Sequence, residues 1–526
     1  MSTVEVTLKW LEKAGDWMNA ILVKETRQSL KSRQFVASFL LLVFASWVIS
    51  VFGVAMMGDS INYGASGQRL FVFYYVVLMI AVTVIVPYGA FRSMLGEKDQ
   101  NTFDSLCITS LSPWQIVWGK LLSALLQDFI YYSAIAPFIA FTSLLEGFEL
   151  PAVAFVLFCG FLISVALSIM ALMVSTFAHQ RHWQGILSIM LLIGLLTVLG
   201  QSSAVLLSLF SDSSLLQSWE FWQGTAIVVL IGLTYCWLFL EIMSSQLTFE
   251  SGNRSSGIRL ITTGQLLLMN GLTLGMSLFY GGAMGDDLFL SLAIFSYVQL
   301  TAISFVATTE EDFLSRRIRK SLPQRKLFRF LFAPFLPGGA RGMVYLLMTL
   351  GLCFGLNFLT LSSISASGGM SSGTVFEITR SFLGVALYII IYLGFASAFG
   401  RFASRTGANI RLNHVRVITV LLFAIGCVIP MIAKAMEFLR WREYSLLEII
   451  NPFATIVELA DSNSWTGPIL LILGVFSLIA VLLNTKAMIF SIHEIVAIKA
   501  APQDTTVTIE PFQLLEDSPS DPLVEG

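Results

Sequence analysis

The feature that most constrains this chain is a succession of uninterrupted apolar runs, each long enough to cross a bilayer as a helix, which takes roughly 20 residues. Twelve such runs are read, at approximately 36–58, 70–91, 121–145, 151–177, 184–210, 221–244, 260–284, 287–309, 342–363, 378–400, 416–434 and 468–491. They are too long and too continuous for barrel strands, which would be about ten residues with alternating polarity. Composition agrees. Only 12% of the 526 residues are charged and 56% are hydrophobic, with a mean hydropathy of +0.79. A soluble protein carries about twice that charged share to cover its surface. The expected fold class is therefore all-α, a polytopic membrane protein with about twelve transmembrane helices. The first run begins late, so no cleaved signal peptide is read.

Charge placement gives an expected orientation. If the N-terminus is cytoplasmic, only Arg69, Arg380, Lys434, Arg440 and Arg442 of the 31 Lys and Arg residues fall in outer segments. Such asymmetry is the positive-inside signature. Both termini are then expected in the cytoplasm, in a multi-pass protein of the cell (inner) membrane. The net charge of −2 speaks against a basic nucleic-acid surface, so no nucleic acid partner is expected. The five cysteines are scattered without paired spacing, and His179 and His182 have no acid or thiol nearby, so no metal site is read.

The chain divides into an amphipathic N-terminal segment (1–35), six spans (36–247) with a loop at 92–120, six further spans (248–493) with a basic loop at 310–341, and an acidic tail (494–526) that reads as disordered. A shift of six spans carries one long loop onto the other. Either the chain holds two parallel six-helix halves, or the match is the coincidence any twelve-span protein allows.

Before span 1, Trp10, Leu11, Ala14, Trp17, Met18, Ile21 and Leu22 form one apolar stripe, with Lys24 and Arg27 off it and Arg33 closing the segment. Trp and Leu on one side and basic residues on the other suit a helix lying in the headgroup plane, the alternative being an ordinary helix packed on the protein. In the loop between spans 2 and 3, Asn101 can cap a short helix that bears Phe103 and Leu106 on one face. Ser112 caps the next helix, with Pro113 at its first position and Gln115 completing a capping box. Such a short helix is either a shape a soluble partner could grip or a structured turn.

The stretch Glu97-Lys-Asp99-Gln-Asn101-Thr102-Phe103-Asp-Ser-Leu106, continuing to Ser112-Pro113-Trp114 and Gly119-Lys120, resembles the coupling segment of permease subunits of ATP-binding-cassette transporters of the type-two exporter class. Residues 19–35 resemble the entry helix of the same family, and Asn451-Pro452-Phe453 is similar to its outer re-entrant stretch. Asn101 stands where the family usually has Gly. The resemblance is good over 19–145, in outline to about 245, and weak beyond. It implies a transport subunit, not an enzyme, that docks a separate ATPase. Glu97 and Asp99 would be rim charges, Phe103 and Leu106 the apolar anchor, and Asn101, Thr102, Ser112 and Pro113 the frame. The chain has no GxxxxGK[ST] loop, so no cofactor is expected in it and ATP would be bound by the partner. Anionic lipid is expected under the basic loop, with a second ATPase contact as its rival role. A second permease chain is the alternative to one chain supplying both halves of the pathway.

Asp128, beside Gln127, is an acid inside span 3 and hence a candidate for the translocation path. Asn270 and Asn357 read as interhelical glue, and Gly271/Gly275 and Gly351/Gly355 as close-packing pairs. The outer acids of 435–467 are dispersed and name no catalytic residue, while Leu439, Trp441, Tyr444, Leu447 and Ile450 read as an interfacial helix. The rival functions are a twelve-span secondary transporter and, further off, a membrane enzyme or assembly factor.

Overall fold

Runs of this length have no water to satisfy their amides, so the backbone must bond to itself, and a helix does that within one segment. The computed structural model describes residues 20–57, 66–99, 112–143, 145, 150–178, 180–211, 215–249, 252–281, 286–320, 322–405, 412–436, 444–461 and 464–497. Twelve long helices are found among them. They are α1 (Arg33–Met57), α2 (the continuous rod Ser66–Met79, Ile80–Ile85 and Val86–Asp99), α3 (Pro113–Ser143), α4 (Leu150–Phe177), α5 (Arg181–Ser211) and α6 (Trp219–Leu247). Then follow α7 (Ser256–Tyr280), α8 (Asp286–Thr308), α9 (Gly339–Ala366), α10 (Ser372–Arg405), α11 (Leu412–Ala435) and α12 (Thr466–Ala497). No strand occurs among the described residues.

Eleven of the twelve are long and apolar enough to cross a membrane. The exception is α7, which is 25 residues long but turns Thr262, Thr263, Gln265, Asn270, Thr273 and Ser277 inward. Its polar stripe packs against α8 and α9, while Leu260, Leu267, Leu278 and Phe279 on its other side stay exposed. Asn270 donates to Ser296 of α8 at 3.2 Å, which is the interhelical bond expected of it. Exposed Leu, Phe, Ile and Val cover the outside of the bundle, which makes it a multi-pass membrane protein.

Packing repeats after six helices. α1 packs on α2 and α3, α2 on α3 and α4, α3 on α4, α4 on α5, and α6 on both α3 and α4. The same relations hold for α7 on α8 and α9, α8 on α9 and α10, α9 on α10, α10 on α11, and α12 on α9 and α10. α6 meets α7 between the two sets, and Tyr235 of α6 donates to Gln299 of α8.

The close-packing glycines are not those expected. A Cβ on Gly271, Gly275, Gly351 or Gly355 would meet nothing within 4 Å. On α9 the tight positions are Gly342, against the backbone carbonyl of Ala307, and Gly339, against those of Glu310 and Thr308. Spacing alone marks a glycine pair; only rotation of the helix about its axis decides whether a neighbour faces it.

The loop at 310–341 is ordered where described. Short helices Arg316–Lys320 and Lys326–Phe332 lead to a 3-10 turn at Ala333–Phe335. Its basic residues do not all face outward. Arg329 and Arg341 are buried, their Nε atoms donating to the carbonyls of Pro323 (2.6 Å) and Pro337 (2.7 Å). Arg316, Arg317, Arg319, Lys320, Arg325 and Lys326 remain exposed.

On the opposite face, Asn451 caps the short helix Pro452–Ala460, accepting from the amide of Phe453 at 3.0 Å. Tyr444 precedes the 3-10 turn Leu446–Ile450, on which Leu447 and Ile450 are exposed, and its hydroxyl hydrogen-bonds Thr455 at 2.9 Å. Tyr388 and Tyr392 of α10 donate to the carbonyls of Ile449 and Ile450, which seats this element on the bundle. Leu439 and Trp441 lie outside the described residues.

Candidate functional site

An entry helix, Ala20–Leu30, lies before α1. Ser32 then caps α1, its Oγ accepting from the amide of Phe35 at 3.1 Å. The entry helix packs along the first turns of α3 and buries Ile21 and Glu25, one turn apart, on that contact. Lys24, Arg27 and Arg33 face outward. Thus the stripe that would lie on lipid is, at Ile21, packed on protein. Trp10 and Trp17 lie outside the described residues.

The capping box at the start of α3 forms. The amide of Gln115 donates to Ser112 Oγ at 3.3 Å, the amide of Ser112 donates to Gln115 Oε1 at 2.8 Å, and Pro113 opens the helix. Two turns on, Lys120 is fully enclosed. Its ammonium lies 2.9 Å from Glu25 Oε1 and 3.2 Å from Glu97 Oε2, and Lys24 approaches Glu97 at 3.4 Å. One cation therefore joins the entry helix, the last turn of α2 and the first turns of α3. A lysine this deep stays charged only when carboxylates replace the water it has lost.

The segment that leaves α2 just after Glu97 and returns just before Lys120 is thus held at both ends. Asn101, Thr102, Phe103 and Leu106 lie in that segment but outside the described residues. Asp99 ends α2, and its side chain is likewise outside them. Sequence reasoning missed Glu25 and gave Lys120 no role. The one available signal was a lone acid inside the basic stretch Lys24–Arg33.

The second half carries a different lock at the corresponding place. Arg259, near the start of α7, lies 2.8 Å from Glu310 just beyond α8. It also donates to the carbonyls of Pro334 (2.9 Å) and Leu336 (2.7 Å), and Gly338 gives its amide to Glu310 at 3.0 Å. Asp312 accepts from the amide of Ala340 at 2.8 Å, at the head of α9.

Asp128 and Gln127 part company. Gln127 donates to Ser123 on its own helix. Asp128 is wholly buried where α2, α3 and α4 meet, with Ser164 at 2.7 Å. A groove of about 1090 Å³ runs along α3, α4, α5 and α6, walled by Trp114 and Trp118 at one end, Glu220 at the other, and Cys159, Gly224 and Gly232 between. Neither Asp128 nor Gln127 lines it. From Glu220 to Leu240 on α6 the groove spans about 30 Å at 1.5 Å per residue, the depth of a hydrocarbon core. Among the described residues no cluster of His, Cys, Asp and Glu is arranged to hold a metal ion.

The chain matches no protein-family model, no curated protein and no solved structure.

Proposed function

We propose that this chain is the transmembrane permease subunit of an ATP-driven exporter, powered by a separate ATPase that docks on the segment between α2 and α3. The observation that carries the reading is the Lys120 cluster. Force applied to a loop moves helices only if the loop's ends are fixed to them, and Glu25, Glu97 and Lys120 fix both ends to three elements at once. Phe103 and Leu106 are then the anchor and Asp99 the rim of the docking surface, whereas Glu97, expected as a second rim charge, is buried on Lys120 and holds the root of the loop instead. A buried aromatic anchor typically carries about 2 kcal/mol or more of an interface. The repeated packing supports two six-helix units in one chain, with a groove deep enough to pass an apolar cargo. The exposed cations of 316–326 lie on anionic lipid of the cytoplasmic leaflet.

The test is co-purification from native membranes. The captured partner should carry a phosphate-binding loop and hydrolyse ATP. Phe103→Ala should lose it without lowering the amount of permease, and Asp99→Ala should lose part of it. Saturable ATP hydrolysis by the chain alone, or unchanged capture by the Phe103 variant, would count against the proposal. Asp128, an acid at membrane depth, is the one observation that favours the second reading, a twelve-span secondary transporter.

A further inference from the structure

Asp128 sits in a joint whose hydrogens can be counted. α2 carries Pro87, which has no amide hydrogen and whose ring crowds the carbonyl four residues back. The helix answers with a wider π turn, Ile80–Ile85, just before it. In that turn the amide of Val86 donates to Ala81, five residues back, rather than to Val82. The Val82 carbonyl is therefore freed from its usual helical donor. Ser164 of α4 takes its place, with Oγ 2.6 Å from Val82 O. The same Oγ is 2.7 Å from Asp128 Oδ2.

Each of these separations requires a proton between the two oxygens, since O–H···O bonds fall at about 2.5–3.0 Å. Ser164 has one hydroxyl proton. A carbonyl oxygen can only accept, and so can an ionised carboxylate. If Ser164 donates to Asp128, the 2.6 Å approach to Val82 sets two acceptors against each other. Both contacts are satisfied only when Asp128 supplies the second proton. The chain of donors then runs from Asp128 Oδ2–H to Ser164 Oγ, and from Ser164 Oγ–H to Val82 O.

The surroundings agree. The other carboxyl oxygen, Oδ1, is buried with no hydrogen-bond partner, and no ion pair to Asp128 forms among the described residues. Tyr131 and Tyr132 flank it on α3, with Tyr75 of α2 and Cys159 of α4 beyond Tyr132. A neutral carbonyl-like oxygen tolerates such a site far better than half of an unpaired carboxylate does.

We propose that Asp128 is a proton-binding site, and that only its protonated form closes the joint between α2, α3 and α4. Loss of the proton to water leaves a carboxylate that can still accept from Ser164. The Val82 carbonyl of the π turn then loses its donor, and the joint opens. The site shares α3 with Lys120, eight residues away, so it lies about 12 Å from the ion cluster that holds the segment after α2. The proton count is the same whichever motor drives the chain.

The experiment is infrared spectroscopy of the purified full chain in lipid nanodiscs at neutral pH, recorded as wild type minus Asp128→Asn. The difference should show the carbonyl stretch of a protonated carboxylic acid, present in the wild type and lost in the variant. The carboxamide that Asp128→Asn introduces can still donate to Ser164, so this variant should accumulate normally. Loss of a carboxylate band instead would overturn the proposal. Should Asp128→Asn fail to fold, Ser164→Ala supplies the second test, because it removes the oxygen to which Asp128 donates. A shift of the protonated carbonyl band in Ser164→Ala supports the site. A shift confined to the carboxylate region, or no shift, overturns it.

Discussion

Lys120 and Glu25 are 95 residues apart in the chain and meet at 2.9 Å, with the lysine side chain 1% exposed. Glu97 completes the cluster, so the charge is shared between two carboxylates on different helices.

Lys120→Met should therefore cost more than a surface ion pair would. Removing the cation leaves two nearly buried carboxylates facing each other, and breaking such a site typically costs about 3–5 kcal/mol. The triple variant Lys120→Met, Glu25→Gln, Glu97→Gln should recover most of that loss, because no uncompensated charge remains. Thermal unfolding in one detergent reads both. A triple variant no better than the single one would show that the lysine stem, not its charge, holds the helices.

Gly342 and Gly351, both on α9, should respond in opposite ways. A Cβ on Gly342 would overlap the Ala307 carbonyl oxygen, so Gly342→Ala must push α8 and α9 apart, at about 1–3 kcal/mol. Gly351→Ala meets open space and should be neutral or stabilising, by about 0.5–1 kcal/mol. Equal effects in a thermal assay would mean the α8–α9 contact is misplaced.

Orientation is testable at two exposed positions. In a cysteine-free background, Ser371→Cys, between α9 and α10, should react with an impermeant thiol reagent added to intact cells. Arg325→Cys, in the basic loop, should react only after the membrane is opened. The reverse pattern would invert the positive-inside reading of the loops.

Arg316, Arg317 and Lys320 should act on lipid and Arg329 on folding. Each cation near an anionic surface contributes about 1 kcal/mol, so replacing all three by Gln should weaken binding of anionic lipid on the order of a hundredfold. Protein yield should not change. Arg329→Met should lower yield instead, because the buried guanidinium donates to Pro323 and ties the loop together. Lipid binding unchanged in the triple variant would remove lipid as the role of this surface.

Much of the architecture was legible in the residues because its causes are local. An apolar run long enough to cross a bilayer must become a helix wherever it sits, so the helices cover the expected runs, with α2 and α3 each extending eight residues further toward the segment between them. The Ser112–Gln115 capping box and the Asn451-Pro452 helix start were equally readable, since a cap and its amides lie within one turn. What sequence could not decide was which side of each helix turns inward. A helix that is apolar all round has no stripe to mark its buried face. For that reason Gly342 rather than Gly351 proved to be the tight glycine, and Asp128 proved to face Ser164 rather than the groove. The meeting of Glu25, Glu97 and Lys120 depended on the fold for the same reason. Three side chains on separate helices converge only when packing has fixed the rotation of all three.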